Sequence, residues 1–303
     1  MSGAVHAARG LSRPAATGIG FLAILSWALL ALFTVGSGAV PPFLLSALCF
    51  GIGGAVGVAV ILTRGGSLVR AFAQPARVWA LGVGGIFGYH FFYFTALRNA
   101  PPADASLIAY LWPLLIVLFS GLLPGERLRP LHVVGAVLGL IGAGLIVTKG
   151  GSLAFDARYA LGYAAAGACA LIWSSYSVLS RRVGAVPTDV VAGFCLLAAA
   201  LAVLCHLVWE TTVWPQTPLE WTAVVALGLG PVGGAFYVWD VGVKHGDIQL
   251  LGVASYAAPL LSTAVLIAVG IAAPTRELVG AAVLIVCGAA LAAWASSRRP
   301  RRL

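Results

Sequence analysis

The sequence predicts an all-α membrane protein: ten transmembrane helices arranged as two inverted five-helix repeats around a central cavity. Three observations predict it. Of 303 residues, 61% are hydrophobic and 9% charged, with mean hydropathy +1.01, too apolar for a chain of this size to be solvated mainly by water. Apolar stretches of about 20 residues, the length that crosses a bilayer, recur ten times. A shift of 146 positions then lays one half of the chain on the other.

In order, the expected spans are 16–36, 40–62, 77–97, 103–123, 130–148, 159–180, 188–209, 219–243, 248–271 and 277–296. The first follows Arg13 as a signal peptide follows its basic flank. Its length and the spans behind it mark it as a retained helix. The gaps are short and punctuated: Arg64-Gly65-Gly66 after span 2, Pro101-Pro102 before span 4, Pro124-Gly125-Glu126-Arg127 between spans 4 and 5, Lys149-Gly150-Gly151 after span 5. Asp104 and Asp247 stand at the starts of spans 4 and 9, where a carboxylate can cap free helix N–H groups. Gly135 and Gly139 in span 5, with Gly280, Ala281 and Gly288 in span 10, permit close helix contact, within one molecule or between two.

The repeat divides the chain into a cytoplasmic N-terminal segment 1–15, a first five-helix unit 16–150, a second, inverted unit 151–297 and a basic tail 298–303. The shift carries Ala80-Leu81-Gly82 onto Ala226-Leu227-Gly228, Trp27 onto Trp173 and Arg98 onto Lys244. Between positions 80 and 115 it gives nine identities, among them Tyr110 and Pro113 on Tyr256 and Pro259. Five spans per copy is an odd number, so the copies enter the bilayer from opposite faces. Secondary transporters are often built this way, with the substrate site where the copies meet.

Charge gives the orientation. The net charge of +9 lies in short gaps between spans, not in a nucleic-acid-binding run. With both termini cytoplasmic, fourteen Arg and Lys fall on the cytoplasmic side and four (Arg98, Lys149, Arg158, Arg276) on the other, as the positive-inside rule requires. The Arg-rich end 298–303 then acts as a topological anchor. Five cysteines, all inside apolar segments and without CxxC spacing, read as small packing residues. No metal or other cofactor is expected.

Candidate binding groups are sought at mid-membrane. Pro113, Pro231 and Pro259 fall inside spans 4, 8 and 9. Each ring removes a backbone donor and displaces the carbonyl four residues earlier, which should free Ala109 and Ser255 to face protein, water or substrate. Around these breaks gather Tyr89, His90 and Tyr93 in span 3, Tyr110 and Trp112 in span 4, Trp173 and Tyr176 in span 6, Tyr237 and Trp239 in span 8, and Ser255, Tyr256 and Ser262 in span 9. Trp209, Trp214, Trp221 and Trp294 lie near span ends and suit the headgroup belt.

Asp240 is the one acid well inside a span, a single turn from Lys244. An ion pair at the cytoplasmic mouth and a gating or substrate role both remain open. His90 reads as a hydrogen-bonded core histidine or a proton relay. Span 1 carries no acid, which speaks against proton-coupled export of cationic drugs. A ring-lined, hydroxyl-rich site suits a zwitterion: ammonium on carbonyls and hydroxyls, carboxylate on Tyr O–H and indole N–H, side chain on aromatic faces.

Four stretches carry a family resemblance: Tyr110-Leu111-Trp112-Pro113, Ile172-Trp173-Ser174-Ser175-Tyr176, Trp239-Asp240-Val241-Gly242 with His245-Gly246, and Ser255-Tyr256 with Pro259-Leu260-Leu261-Ser262. Together they resemble the drug/metabolite transporter superfamily of EamA type, and within it the bacterial aromatic amino acid exporters. Asp240 stands where that pattern has Asn. The resemblance implies export of aromatic and other neutral amino acids by alternating access in a bacterial inner membrane, with an amino acid and membrane lipid as partners. Efflux of another small metabolite or drug is the alternative. A membrane-embedded enzyme would need paired catalytic groups at one depth, and only His90 and Asp240 are present, at different depths.

Overall fold

A computed structural model of the chain describes residues 11–151 and 156–297. The expected termini 1–10 and 298–303 lie outside the described residues. Among the described residues ten helical rods cross the molecule: span 1 (Arg13–Gly36), span 2 (Pro42–Thr63), span 3 (Ala76–Asn99), span 4 (Pro102–Ser120), span 5 (Pro130–Thr148), span 6 (Ala160–Arg182), span 7 (Val190–Trp209), span 8 (Pro218–His245), span 9 (Ile248–Ala268) and span 10 (Arg276–Ser297). Nine are long and apolar enough to span a bilayer on composition alone. Span 6 is as long, but Trp173-Ser174-Ser175-Tyr176-Ser177 lowers its hydropathy. Those residues turn inward, where Ser174 and Ser177 are fully buried.

The helix starts follow from local chemistry. Pro14, Pro42, Pro102, Pro130 and Pro218 occupy first-turn positions, where the missing N–H costs nothing. Ser12, Thr217 and Asp247 each accept a backbone N–H as N-caps. Asp104 does not cap: span 4 begins two residues earlier, and its carboxylate instead accepts the Tyr163 hydroxyl at 3.0 Å. Gly65 and Gly150, at φ 68° and 74°, take the left-handed turns that end spans 2 and 5.

Spans 2 and 7 pack on one another, as do 5 and 10, 3 and 6, and 1 and 8. Adding five to each number exchanges the 3·6 and 8·1 pairs and returns the other two to themselves, the contact pattern of a two-fold repeat. Gly135 of span 5 meets Gly288 of span 10 backbone to backbone. Gly139 instead receives the Tyr256 ring. The small residues thus serve close packing inside one molecule.

Three spans break where proline was expected to break them. Span 4 is interrupted at Tyr110-Leu111, span 9 at Ser255-Tyr256, and span 8 between Leu229 and Gly234 around Pro231. Span 1 breaks as well, at Ala28-Leu29, with no proline to announce it.

The basic end of the bundle, where Arg13, Arg64, Arg77, Arg127, Arg181 and Lys244 lie, is tied by ions. Glu126, between spans 4 and 5, pairs with Arg13 at 3.1 Å and Arg181 at 2.9 Å. Arg13 also reaches Asp247 at 3.6 Å, and Arg181 donates to the carbonyls of Val243 and Gly246. At the opposite end Glu210, 2% exposed, accepts the N–H groups of Phe43 and Leu44 at the start of span 2 and pairs with Arg98 and His206. A carboxylate there joins spans 2, 3 and 7 and meets the positive end of a helix dipole. Glu210→Ala should therefore cost about 3 kcal/mol, read as an earlier thermal unfolding transition of the purified protein in detergent. An unchanged transition would rule out this clamp.

Candidate functional site

At mid-depth four indoles meet. Trp27, Trp112, Trp173 and Trp239 come from spans 1, 4, 6 and 8, two from each repeat. All six pairs are in contact, with ring centroids 5.1 Å (Trp27–Trp239) to 6.3 Å (Trp112–Trp173) apart. Most are edge-on or tilted, the arrangements that the ring quadrupoles favour. Trp239 lies flat along Trp173, with 21° between planes.

Sequence explains how each ring arrives. Trp112 opens the second half of span 4, directly beyond the break. Trp27 ends the first half of span 1 and donates its indole N–H to the Pro231 carbonyl at 3.1 Å, filling a break in span 8 with a donor from span 1. Trp239 donates to Ser177 Oγ at 3.1 Å. Among the described residues, neither Trp112 nor Trp173 commits its indole N–H to a protein acceptor, so both donors can serve a ligand.

Tyr89 packs on Trp173 at 5.4 Å and stacks almost parallel on Tyr93 at 5.9 Å. These two rings, with Tyr110 and Ser262, remain partly exposed. Trp239, Ile248, Leu251 and Tyr256, in the halves of spans 8 and 9 nearer the basic end, are fully buried. The indoles are thus closely packed along spans 8 and 9, while the rings of Tyr89, Tyr93 and Tyr110 keep some exposure.

Several expected binding groups have other tasks. Besides the Ala109 carbonyl, whose donor Pro113 removes, the break in span 4 frees the carbonyl of Tyr110. The Tyr256 hydroxyl donates to it at 3.1 Å and accepts the Leu114 N–H at 3.1 Å, so one side chain repairs both sides of the break. Tyr256 and Tyr110 are equivalent positions of the two repeats, so one copy mends the other. The Ser255 carbonyl takes the Ala258 N–H, and the Ser255 hydroxyl folds back on Leu251. Pro113 and Pro259 are buried in the second halves of their spans. His90 hydrogen-bonds through Nδ1 to the Ile86 carbonyl at 2.8 Å and lies edge-on against Phe50, the arrangement of a core histidine.

Asp240 and Lys244 form a buried pair at 2.8 Å, each side chain 2% exposed. Tyr176 packs under Trp173 at 5.3 Å on that same side of the cluster. Among the described residues no three His, Cys, Asp or Glu side chains converge as a metal site would need.

Sequence reasoning placed Trp27 only as a repeat match, though it touches every other indole of the cluster. Its position 146 before Trp173 was the signal that could have found it. The Glu126 clamp was missed because an isolated loop acid carries no pattern.

A ten-rod helical bundle built from two copies, with broken helices meeting at an aromatic centre, defines a membrane transporter of the inverted-repeat class. The chain belongs to the EamA-like transporter family, which matches it twice, at residues 16–148 and 160–294. It is 60% identical to the aromatic amino acid exporter YddG of Ancylobacter novellus, over 95% of this chain and all of that one. It is 26% identical to the Escherichia coli K12 protein of the same name, with the same coverage. A crystal structure at 60% identity superposes with TM-score 0.89, covering 95% of this chain and all of the other.

Replacing Tyr256 by Phe keeps the ring and removes the hydroxyl that mends span 4. Leaving a buried carbonyl and N–H unmet should cost about 2 kcal/mol, visible as a lower melting midpoint. Equal stability of Tyr256→Phe and wild type would show that water or another group mends the break.

Proposed function

We propose that this protein exports aromatic and other neutral amino acids across the bacterial inner membrane by alternating access, with its basic end and both termini in the cytoplasm. The four-indole centre carries the reading. It offers ring faces to an aromatic side chain and two uncommitted N–H donors to a carboxylate, while Tyr110, Tyr89 and Tyr93, all partly exposed, supply hydroxyls. The name borne by the relative of 60% identity supports the same cargo. The fourteen-to-four distribution of Arg and Lys supports the orientation. The ion pairs of Glu126 with Arg13 and Arg181 at the basic end support an outward-facing state in which they tie the cytoplasmic side.

In this scheme the indole cluster is the floor of the site, and substrate lies on it against Trp112 and Trp173. Closure on the far side would bring Tyr89, Tyr93 and Ser262 over the ligand. Opening on the near side requires the ion pairs of the basic end to part.

The test is transport of labelled phenylalanine by the full chain in proteoliposomes, with a panel of unlabelled amino acids as competitors. Saturable, trans-stimulated flux that tryptophan and phenylalanine compete away is expected. Flux of another small metabolite that no amino acid inhibits would favour the alternative cargo, and linear flux would indicate a pore. Trp173→Ala should weaken phenylalanine binding about tenfold or more, since a buried aromatic contact carries 1–3 kcal/mol. Trp112→Phe keeps a ring but removes a donor, so it should raise the half-saturation constant for amino acids more than for phenethylamine, which has no carboxylate. Equal effects on both would remove Trp112 from carboxylate recognition.

A further inference from the structure

Two connected clefts run inward from the basic end. The outer one opens beside Gln74, Arg77 and Arg182. The inner one is walled by Leu81, Tyr176, Ser180, Phe194, Asp240 and Lys244. Val78, Val183 and Val186 line both, so the two form one route. It ends at Tyr176, whose ring packs on Trp173 of the indole cluster. We propose that the inner cleft is a loading site for the zwitterion, in which Asp240 takes its ammonium and Lys244 its carboxylate before the substrate reaches the indoles. This rests on the functional reading above.

Charge geometry is the first support. Asp240 Oδ2 and Lys244 Nζ lie 2.8 Å apart on successive turns of span 8. An α-amino acid carries the complementary pair at the same short separation. Exchange of the internal pair for two pairs with substrate keeps the charge count of the cleft neutral. That matters because an unpaired charge in so dry a place is strongly disfavoured.

The second support is how the charges are held. Asp240 accepts the Thr188 hydroxyl at 2.7 Å, and Lys244 donates to the Val186 carbonyl at 3.0 Å. Both partners sit on the connection between spans 6 and 7, which therefore holds both charges of the cleft at once. Movement of that connection releases a carboxylate and an ammonium together. Arg181 and His245 near the pair, and Cys195 of span 7 near Tyr176, are further charged or titratable groups at this level among the described residues, and Arg181 is tied to backbone carbonyls and Glu126.

The third is an orphan. The Tyr176 hydroxyl is buried, with Ser180 one turn away but no properly formed hydrogen bond. A buried donor left unmet is costly, and here it belongs to a side chain lining the cleft. In the present state the inner space is about 10 Å³, room for one water at most. The cleft is closed, as a loading site must be while the far side is open.

The test compares substrate half-saturation at the two faces, using the full chain in inside-out and right-side-out vesicles. Lys244→Gln, Asp240→Asn and Tyr176→Phe should each raise the constant for phenylalanine at the cytoplasmic face. For the two charge variants the rise should be about tenfold, as loss of a buried charged partner predicts. The constant at the opposite face should stay unchanged, its maximal rate falling as detailed balance demands. Lys244→Gln should also lose most discrimination between phenylalanine and phenethylamine at the cytoplasmic face alone.

The double variant Asp240→Lys/Lys244→Asp restores an ion pair, and with it folding, but presents the charges in reverse to the Tyr176 side. It should keep the weakened cytoplasmic binding. Full recovery by the double variant, or equal changes at both faces, would reduce the pair to a structural latch and overturn the proposal. A wild type that moves no amino acid would overturn the functional reading as well, so the two failures are distinguishable.

Discussion

The fold depends on four tryptophan rings that touch one another at its centre. Within lipid, apolar helices gain nothing from leaving water, so contact quality and hydrogen bonding must hold them together. The indoles of spans 1, 4, 6 and 8 supply both. Their edge-on and tilted contacts fasten the two repeats to each other, and the N–H groups of Trp27 and Trp239 tie neighbouring spans. The backbone breaks that surround a transporter's centre would be untenable in hydrocarbon without partners. Here the partners come from across the repeat boundary: Trp27 fills the break of span 8, and Tyr256 fills that of span 4.

Charge ties both ends of the bundle. At the basic end Glu126 joins elements of both repeats through Arg13 and Arg181, so parting them is a large-scale event. At the other end Glu210 likewise joins the two repeats, holding span 7 to spans 2 and 3. Between them, the incompletely packed rings of Tyr89, Tyr93 and Tyr110 and the closed cleft at Asp240 lie on opposite sides of the indoles. That asymmetry within a symmetric frame is what alternating access requires.

Much of this was legible residue by residue. Runs of apolar side chains place every rod to within three residues, because a helix that meets lipid must be apolar along its whole length. Pro113, Pro231 and Pro259 announce three of four breaks, because proline cannot join the helical ladder. Span 1 breaks without such a residue, and no local signal marks it. Trp112, Trp173 and Trp239 were legible as deep aromatics, whereas Ser255 and Tyr256 were legible as deep but not as occupied.

The sequence by itself determined the solvent, the number of rods, their two-copy order and the depth of each polar group, since these follow from composition and spacing along one dimension. Only the tertiary structure decided which groups are already bonded. It turned Tyr256 from a substrate ligand into a backbone partner, made Asp240 and Lys244 a sealed pair, and joined Glu126 to Arg13, 113 positions away. A hydrogen bond is fixed by distances of a few tenths of an ångström between segments far apart in the chain, and no local pattern encodes them.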